Sequence, residues 1–229
     1  MGAGDLTPVA VDVVYERFPA SIRGALVVRG TDSNPHQVAL AEADLREAAA
    51  PSRRAQPLGL GPVTVDIVPR GEMLIPFEVP FAGLDPGWYE VSAEVLVDGQ
   101  VLVRGPEKGP RPFVVRWPQG TVRRGGIDLG LSIEVPGSPG ATIERMDCRT
   151  ESAVVHWRHA PADDAERDEL RVSAGRRRLP VVADAFDPKS GERTTTVYPV
   201  LKTDARLTFA VERRSGAERG SWSAQADLP

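Results

Sequence analysis

The sequence has a single cysteine, Cys148, in 229 residues. One thiol closes no internal disulfide, so folding does not depend on an oxidising compartment. Aromatic residues are few, at 6%. They make a sugar platform or a base-stacking groove only if several converge on one surface. Cations do not predominate: 28 Lys and Arg stand against 32 Asp and Glu, a formal net charge of −4. Nucleic-acid affinity rests on neutralising phosphates, so no nucleic-acid partner is expected. No apolar run approaches the roughly 18 residues that cross a bilayer as a helix, and no membrane span is expected. Residues 1 to 14 carry Asp5 and Asp12 and no basic segment ahead of an apolar one. That start does not read as a secretory leader, and the expected location is cytoplasmic, or extracellular had a leader been removed.

Glycine and proline, in contrast, are plentiful at 22 and 21 residues. They punctuate short runs of period-two alternation, the pattern of strands with one buried face. Val9, Val11, Val13 and Tyr15 alternate with Ala10, Asp12, Val14 and Glu16, Ile22 to Arg29 follow, and Val63, Val65 and Ile67 repeat the pattern. Met73, Ile75, Phe77 and Val79 form another inward row, and Pro76 and Pro80 mark that strand as an edge or interrupted one. Tyr89, Val91, Ala93, Val95 and Val97 alternate with Trp88, Glu90, Ser92, Glu94 and Leu96, and Asp98-Gly99 then predicts a tight hairpin into Val101 and Val103. Phe113, Val115 and Trp117 close the first half. Residues 35 to 50 carry both signals: Val38 and Leu40 suit a strand, whereas Val38, Ala41, Leu45 and Ala48 keep helical spacing after Asn34-Pro35. The expectation is a strand running into a short helical or irregular stretch.

Leu129, Leu131, Ile133 and Val135 alternate within a segment rich in turn residues. Beyond it come Ala153, Val155 and Trp157; Leu170, Val172 and Ala174; Leu207, Phe209 and Val211; and Trp222, Ala224, Ala226 and Leu228. Short strands at this spacing, with no long helix between them, predict an all-β chain of two consecutive β-sandwich domains. The expected division is residues 1–118, a strand-containing linker at 119–138, and residues 139–229.

Leu84-Asp85-Pro86-Gly87-Trp88-Tyr89-Glu90-Val91 resembles the tyrosine corner of immunoglobulin-like and fibronectin type III domains. The resemblance implies that Tyr89 packs in the core while its hydroxyl bonds back to the backbone, a fold role. Ser152-Ala153-Val154-Val155-His156-Trp157 and Leu201 to Val211 resemble the second and sixth strands of a fibronectin type III domain. Leu207 stands where that corner has tyrosine, and Thr203 where it has proline. The resemblance implies a first domain of immunoglobulin-like type, a second of fibronectin type III-like type, and work as spacers or interaction modules.

No constellation with catalytic spacing emerges. His156, His159, Asp163, Asp164 and Glu166 form the densest potential metal set, but an offset of three on a strand sends the two histidines to opposite faces. Cys148 has no histidine near it in sequence and no helix start to lower its pKa. Glu90 and Glu94 share a face yet lie about 13 Å apart, at ~3.3 Å per residue, too far for a glycosidase pair. No cofactor is expected, and the chain is expected not to be an enzyme; an unfamiliar site would need His36, His156 or His159 in a pocket with carboxylates.

Surfaces remain. With Tyr89 and Val91 inward, Trp88 and Leu96 face outward on the same strand, and an outward tryptophan serves as an interface anchor or packs under a neighbouring loop or domain. Arginine pairs occur at Arg53-Arg54, Arg123-Arg124 and Arg213-Arg214, and Arg176, Arg177 and Arg178 crown an expected hairpin turn after Gly175. Trp88, Leu96, Arg176, Arg177 and Arg178 are the candidate partner surface. The expected function is a protein–protein interaction or scaffold module, and the alternative is a carbohydrate-binding or surface accessory module.

Overall fold

A computed structural model describes residues 7–48, 55–107, 109, 111–137, 140–159, 167–187, 189–215 and 218–229. The chain is all-β and divides into two compact units, Met1–Val115 and Arg116–Pro229.

The first unit holds β1 (Val9–Arg17), β2 (Ser21–Gly30), β3 (His36–Glu47), β4 (Gln56–Pro57), β5 (Thr64–Ile67), β6 (Glu72–Pro80), β7 (Gly87–Val97), β8 (Val101–Gly105) and β9 (Phe113–Val115). One sheet runs β1-β2-β6; the other runs β4-β3-β7-β8, with β5 also on β3 and β9 also on β7. Inward rows from both sheets, among them Val11, Leu26, Ile75, Phe77, Val91 and Val95, form one buried core. This is the two-sheet distribution of an immunoglobulin-like sandwich. The Tyr89 hydroxyl donates to the Asp85 carbonyl at 3.0 Å, the corner bond that the resemblance implies. Strand β6 lies at a sheet edge, where its prolines are tolerated. Asp98 and Gly99 both take positive φ, 50° and 69°, as the hairpin requires.

Residues 36–47 are one strand, not a strand giving way to a helical stretch. The register slips between Leu40 and Glu42 against β7. A bulge adds one residue, so the inward set changes from Val38 to Ala43 and Leu45. The odd spacing that imitates a helical face is the mark of that bulge.

The second unit holds β10 (Gly125–Ile133), β11 (Ala141–Cys148), β12 (Ala153–His159), β13 (Arg167–Ala174), β14 (Arg177–Leu179), β15 (Val181–Asp187), β16 (Glu192–Val197), β17 (Arg206–Ser215) and β18 (Glu218–Asp227). Its sheets run β10-β11-β12-β16-β15 and β14-β13-β17-β18. Segment 119–138 therefore carries an integral sheet strand, β10, and Trp117 lies in this unit, edge-on to Tyr198 at 5.3 Å. Trp157 is fully buried and donates to Thr195 Oγ1 at 3.0 Å, and Arg193 lies over its ring. Strand β16 escapes the alternation pattern because its inward residues, Thr195 and Val197, sit in the run Thr194-Thr195-Thr196-Val197, which shows no apolar contrast.

In the first unit β8 ends by crossing to the other sheet. A Cβ at Gly105 would stand 2.5 Å from the Val11 carbonyl oxygen and 2.6 Å from Val11 Cβ, and the Glu107 amide donates to that same carbonyl at 2.8 Å. Only glycine fits this approach. We expect Gly105→Ala to lower stability by about 1–3 kcal/mol, the usual cost of overpacking. Gly126→Ala, whose nearest neighbour would be Asp147 Oδ1 at 3.6 Å, should fall within about 0.5 kcal/mol of the parent. Calorimetric melting of both variants is the check, and equal melting points would refute the close approach.

Candidate functional site

Strand β7 passes through the middle of its sheet with every odd residue from Tyr89 to Val97 buried. Its even residues, Trp88, Glu90, Ser92, Glu94 and Leu96, then have only the outer face to occupy, and all five are partly exposed. Register supplies their neighbours. Leu96 lies between Ala39 and Leu102, and Trp88 lies beside Val114. Between these apolar ends, Glu94 lies between Glu42 and Arg104, Ser92 beside Asp44, and Glu90 beside Arg46. At 47% exposure Leu102 extends the apolar end into solvent.

The middle of this face is concave. Strand β8 leaves opposite Ala93, and β9 rejoins opposite Tyr89. Among the described residues no strand flanks β7 at 90–92 on that side. The Trp88 carbonyl accepts from Ala48 on the β3 side and the Val97 carbonyl from Gln100 on the β8 side. Backbone alternation therefore directs the Val91 N–H and C=O into the gap. The resulting concavity is about 480 Å³, with the carboxylates of Glu42, Asp44, Glu90 and Glu94 on its lining and Arg46 and Arg104 beside them.

These acids are unequal. Arg104 Nε donates to Glu94 at 2.6 Å. Asp44 has a nearly buried side chain, 4% exposed, and accepts from Arg46 Nη2 at 3.5 Å. A hydrogen bond with Asp44, and then the Asp44 charge, push the Glu42 carboxyl above its ordinary pKa.

No protein-family model matches the chain, and no curated protein matches it. A solved structure that does match is a marsupial T cell receptor, at 14% identity over 96% of this chain and 63% of that one, with a TM-score of 0.30. The chain spans less than two thirds of that receptor chain's length. A likeness of that score carries no weight, and the assignment of fold rests on strand pairing.

The other residues singled out from sequence fall elsewhere. In the arginine turn, Arg176 and Arg178 are exposed, but Arg177 points to the other side and donates to Asp204, which also accepts from the Leu201 amide. The turn thus presents Arg176 and Arg178 to solvent, while Arg177 is engaged by Asp204. Arg213 is buried against Asp168, with Nε at 3.0 Å and Nη2 at 3.2 Å. Arg53, Arg54, Asp163, Asp164 and Glu166 lie outside the described residues. Cys148 is buried, on the opposite face of its sheet from His156, and burial pushes its thiol pKa up to about 11. Among the described residues no group of three His, Cys, Asp or Glu is placed to hold a metal.

Each of the three histidines has an acceptor at both ring nitrogens. His156 lies between Glu192 and Asp147 at 2.8 and 3.0 Å, and His159, fully buried, lies between the Gly140 carbonyl and Asp168. His36 lies between Asp98 and Asp32 at 2.6 and 2.9 Å. Sequence showed these residues but not their partners, since Asp98 is 62 positions from His36 and Glu192 is 36 from His156.

Hydrogen bonds that His36 donates to Asp98 and Asp32 raise its pKa, and the Asn34 amide with His36 lowers that of Asp32, as His36 with the Gln37 amide lowers that of Asp98. The imidazolium contribution is complete below the unfolded value, about 6.5, and is lost as pH rises through the higher folded value. The carboxylate contribution is lost at the acid end, as pH falls through folded values below the ordinary range. His36→Gln should therefore cost more melting temperature at pH 6 than at pH 8.5, by about 2 °C for exposed ion pairs. Melting curves at the two pH values decide it, and a pH-independent difference would show that His36 is not held as a cation.

Proposed function

We propose that this chain is a non-enzymatic protein–protein interaction or scaffold module. In this reading two sandwiches stand in tandem, the first immunoglobulin-like and the second fibronectin type III-like, and the partner is another protein. The reading rests on one observation above the others: the outer face of β7, with apolar ends at Trp88 and Leu96 and a concave polar middle. Interfaces are built in this way, from aromatic and aliphatic anchors around a few polar groups placed to fix orientation. Arg176 and Arg178 provide a smaller exposed cationic site in the second unit. Cys148 is buried, and burial raises its thiol pKa, which suits a structural thiol in this reading.

A photo-crosslinking side chain placed at Glu90, on this face, should capture a partner from a lysate of the source cells. The same side chain at Arg23, on the outer face of the other sheet, should not. Capture should be competed by excess parent chain and lost with Trp88→Ala. Equal labelling from both positions, or capture that Trp88→Ala leaves unchanged in a folded chain, would overturn the assignment of the face.

A further inference from the structure

The second unit carries a cleft of about 790 Å³, lined wholly by its own residues. We propose that this cleft binds an acidic segment of a protein partner, with carboxylates on Arg124 and Lys202 and an apolar side chain against Trp117. That the ligand is part of a protein rests on the interaction reading; the site itself owes nothing to the β7 face.

Three connections build the cleft: segment 116–124, the turn 149–152 between β11 and β12, and the turn 201–204 after β16. Backbone bonds hold them in place. The Thr121 hydroxyl donates to the Pro118 carbonyl at 2.7 Å, the Lys202 amide to the Thr121 carbonyl at 2.8 Å, and the Arg149 amide to the Ser152 carbonyl at 2.8 Å. Val122 bridges Leu201, and Trp117 is fixed edge-on to Tyr198. A cleft formed in advance spares its ligand the cost of ordering it. Its volume falls within the about 300–1,000 Å³ of sites that enclose a ligand.

The charge of the cleft is one-sided. Arg116, Arg124 and Lys202 line it against a single carboxylate, Glu151, and Arg116 Nε already donates to that carboxylate at 2.9 Å. Among the described residues the exposed side chains of Arg124 and Lys202 have no partner. Arg123 differs: it turns inward to the carbonyls of Asp204 and Pro229. The Arg123-Arg124 pair thus divides into one structural arginine and one that faces the cleft. On a chain of net charge −4, two unneutralised cations in one concavity make a local field of the opposite sign, which the concavity focuses. They stand on different connections, which suits carboxylates spaced along an extended segment better than one compact phosphate gathered in a nest of amides. Trp117 and Pro118 supply the apolar wall.

The test uses the full chain labelled with ¹⁵N and a blocked pentapeptide, aspartate-leucine-glutamate-leucine-aspartate. Its comparison peptide carries asparagine and glutamine, the neutral isosteres. Titration of the acidic peptide should shift the amides of Thr121, Arg124, Thr150 and Lys202 and the Trp117 indole N–H. The neutral peptide should bind at least about tenfold more weakly, and Arg124→Gln and Lys202→Gln should each weaken the acidic peptide by about threefold or more. Arg178→Gln, the same loss of charge at an exposed position outside the lining, should leave the affinity unchanged. Equal affinity for the two peptides, shifts that avoid these residues, no shift at all, or an Arg178→Gln effect as large as that of Lys202→Gln would overturn the proposal. So would inorganic phosphate that shifts the same amides at lower concentration than the peptide. If the crosslink from position 90 captures a partner while the acidic peptide fails, this inference falls and the β7 face stands. If the peptide binds and the crosslink fails, the cleft stands and the β7 assignment falls.

Discussion

Everything proposed for the first unit depends on the period of two along β7. Each odd residue is committed to the core by its apolar side chain, and a slip of one position would bury Glu90, Ser92 and Glu94 and expose Val91, Ala93 and Val95. The cost of such a slip pins the register. Pinned register in turn dictates which side chains meet on the outer face: leucine beside leucine at one end, tryptophan beside valine at the other, carboxylates gathered between them. The face follows from how the core is filled.

The concavity has a different origin, in the crossing at Gly105. A sandwich closes more tightly where an edge strand leaves one sheet and leans on the other, and here the absent Cβ lets β8 press against Val11. The chain then returns as β9 further along β7, so the edge is occupied twice with an interval between. The close contact that helps close the sandwich thus opens the gap beside Val91. Stability and a recess come from the same glycine.

The second unit shows how charges can be held inside a sandwich. Asp168 is buried, which by itself opposes ionisation, yet hydrogen bonds from Arg213 and His159 outweigh that and hold its carboxyl below the ordinary range. A pair of this kind lends little net stability, but loss of one member strands the other, which is costly. In the neighbouring sheet the Arg193 guanidinium lies over both Trp157 and Phe186, 5.3 and 5.1 Å from the ring centroids.

Sequence alone determined the all-β class, most strands and their inward rows, the Asp98-Gly99 hairpin, the Tyr89 corner and the outward register of Trp88 and Leu96. These follow from local physics, since alternation and turn preferences act over a few residues. The bulge in β3 was hidden because one inserted residue turns period two into a spacing that a helix shares. Strand β16 was hidden because threonine serves as both inward and outward residue. Only the tertiary structure decided that Arg177 belongs to Asp204 and Arg213 to Asp168, that each histidine lies between two acceptors, and that four carboxylates share a gap in the sheet. Those meetings join residues tens of positions apart, and their geometry is set by strand pairing and sheet closure, which no local pattern encodes.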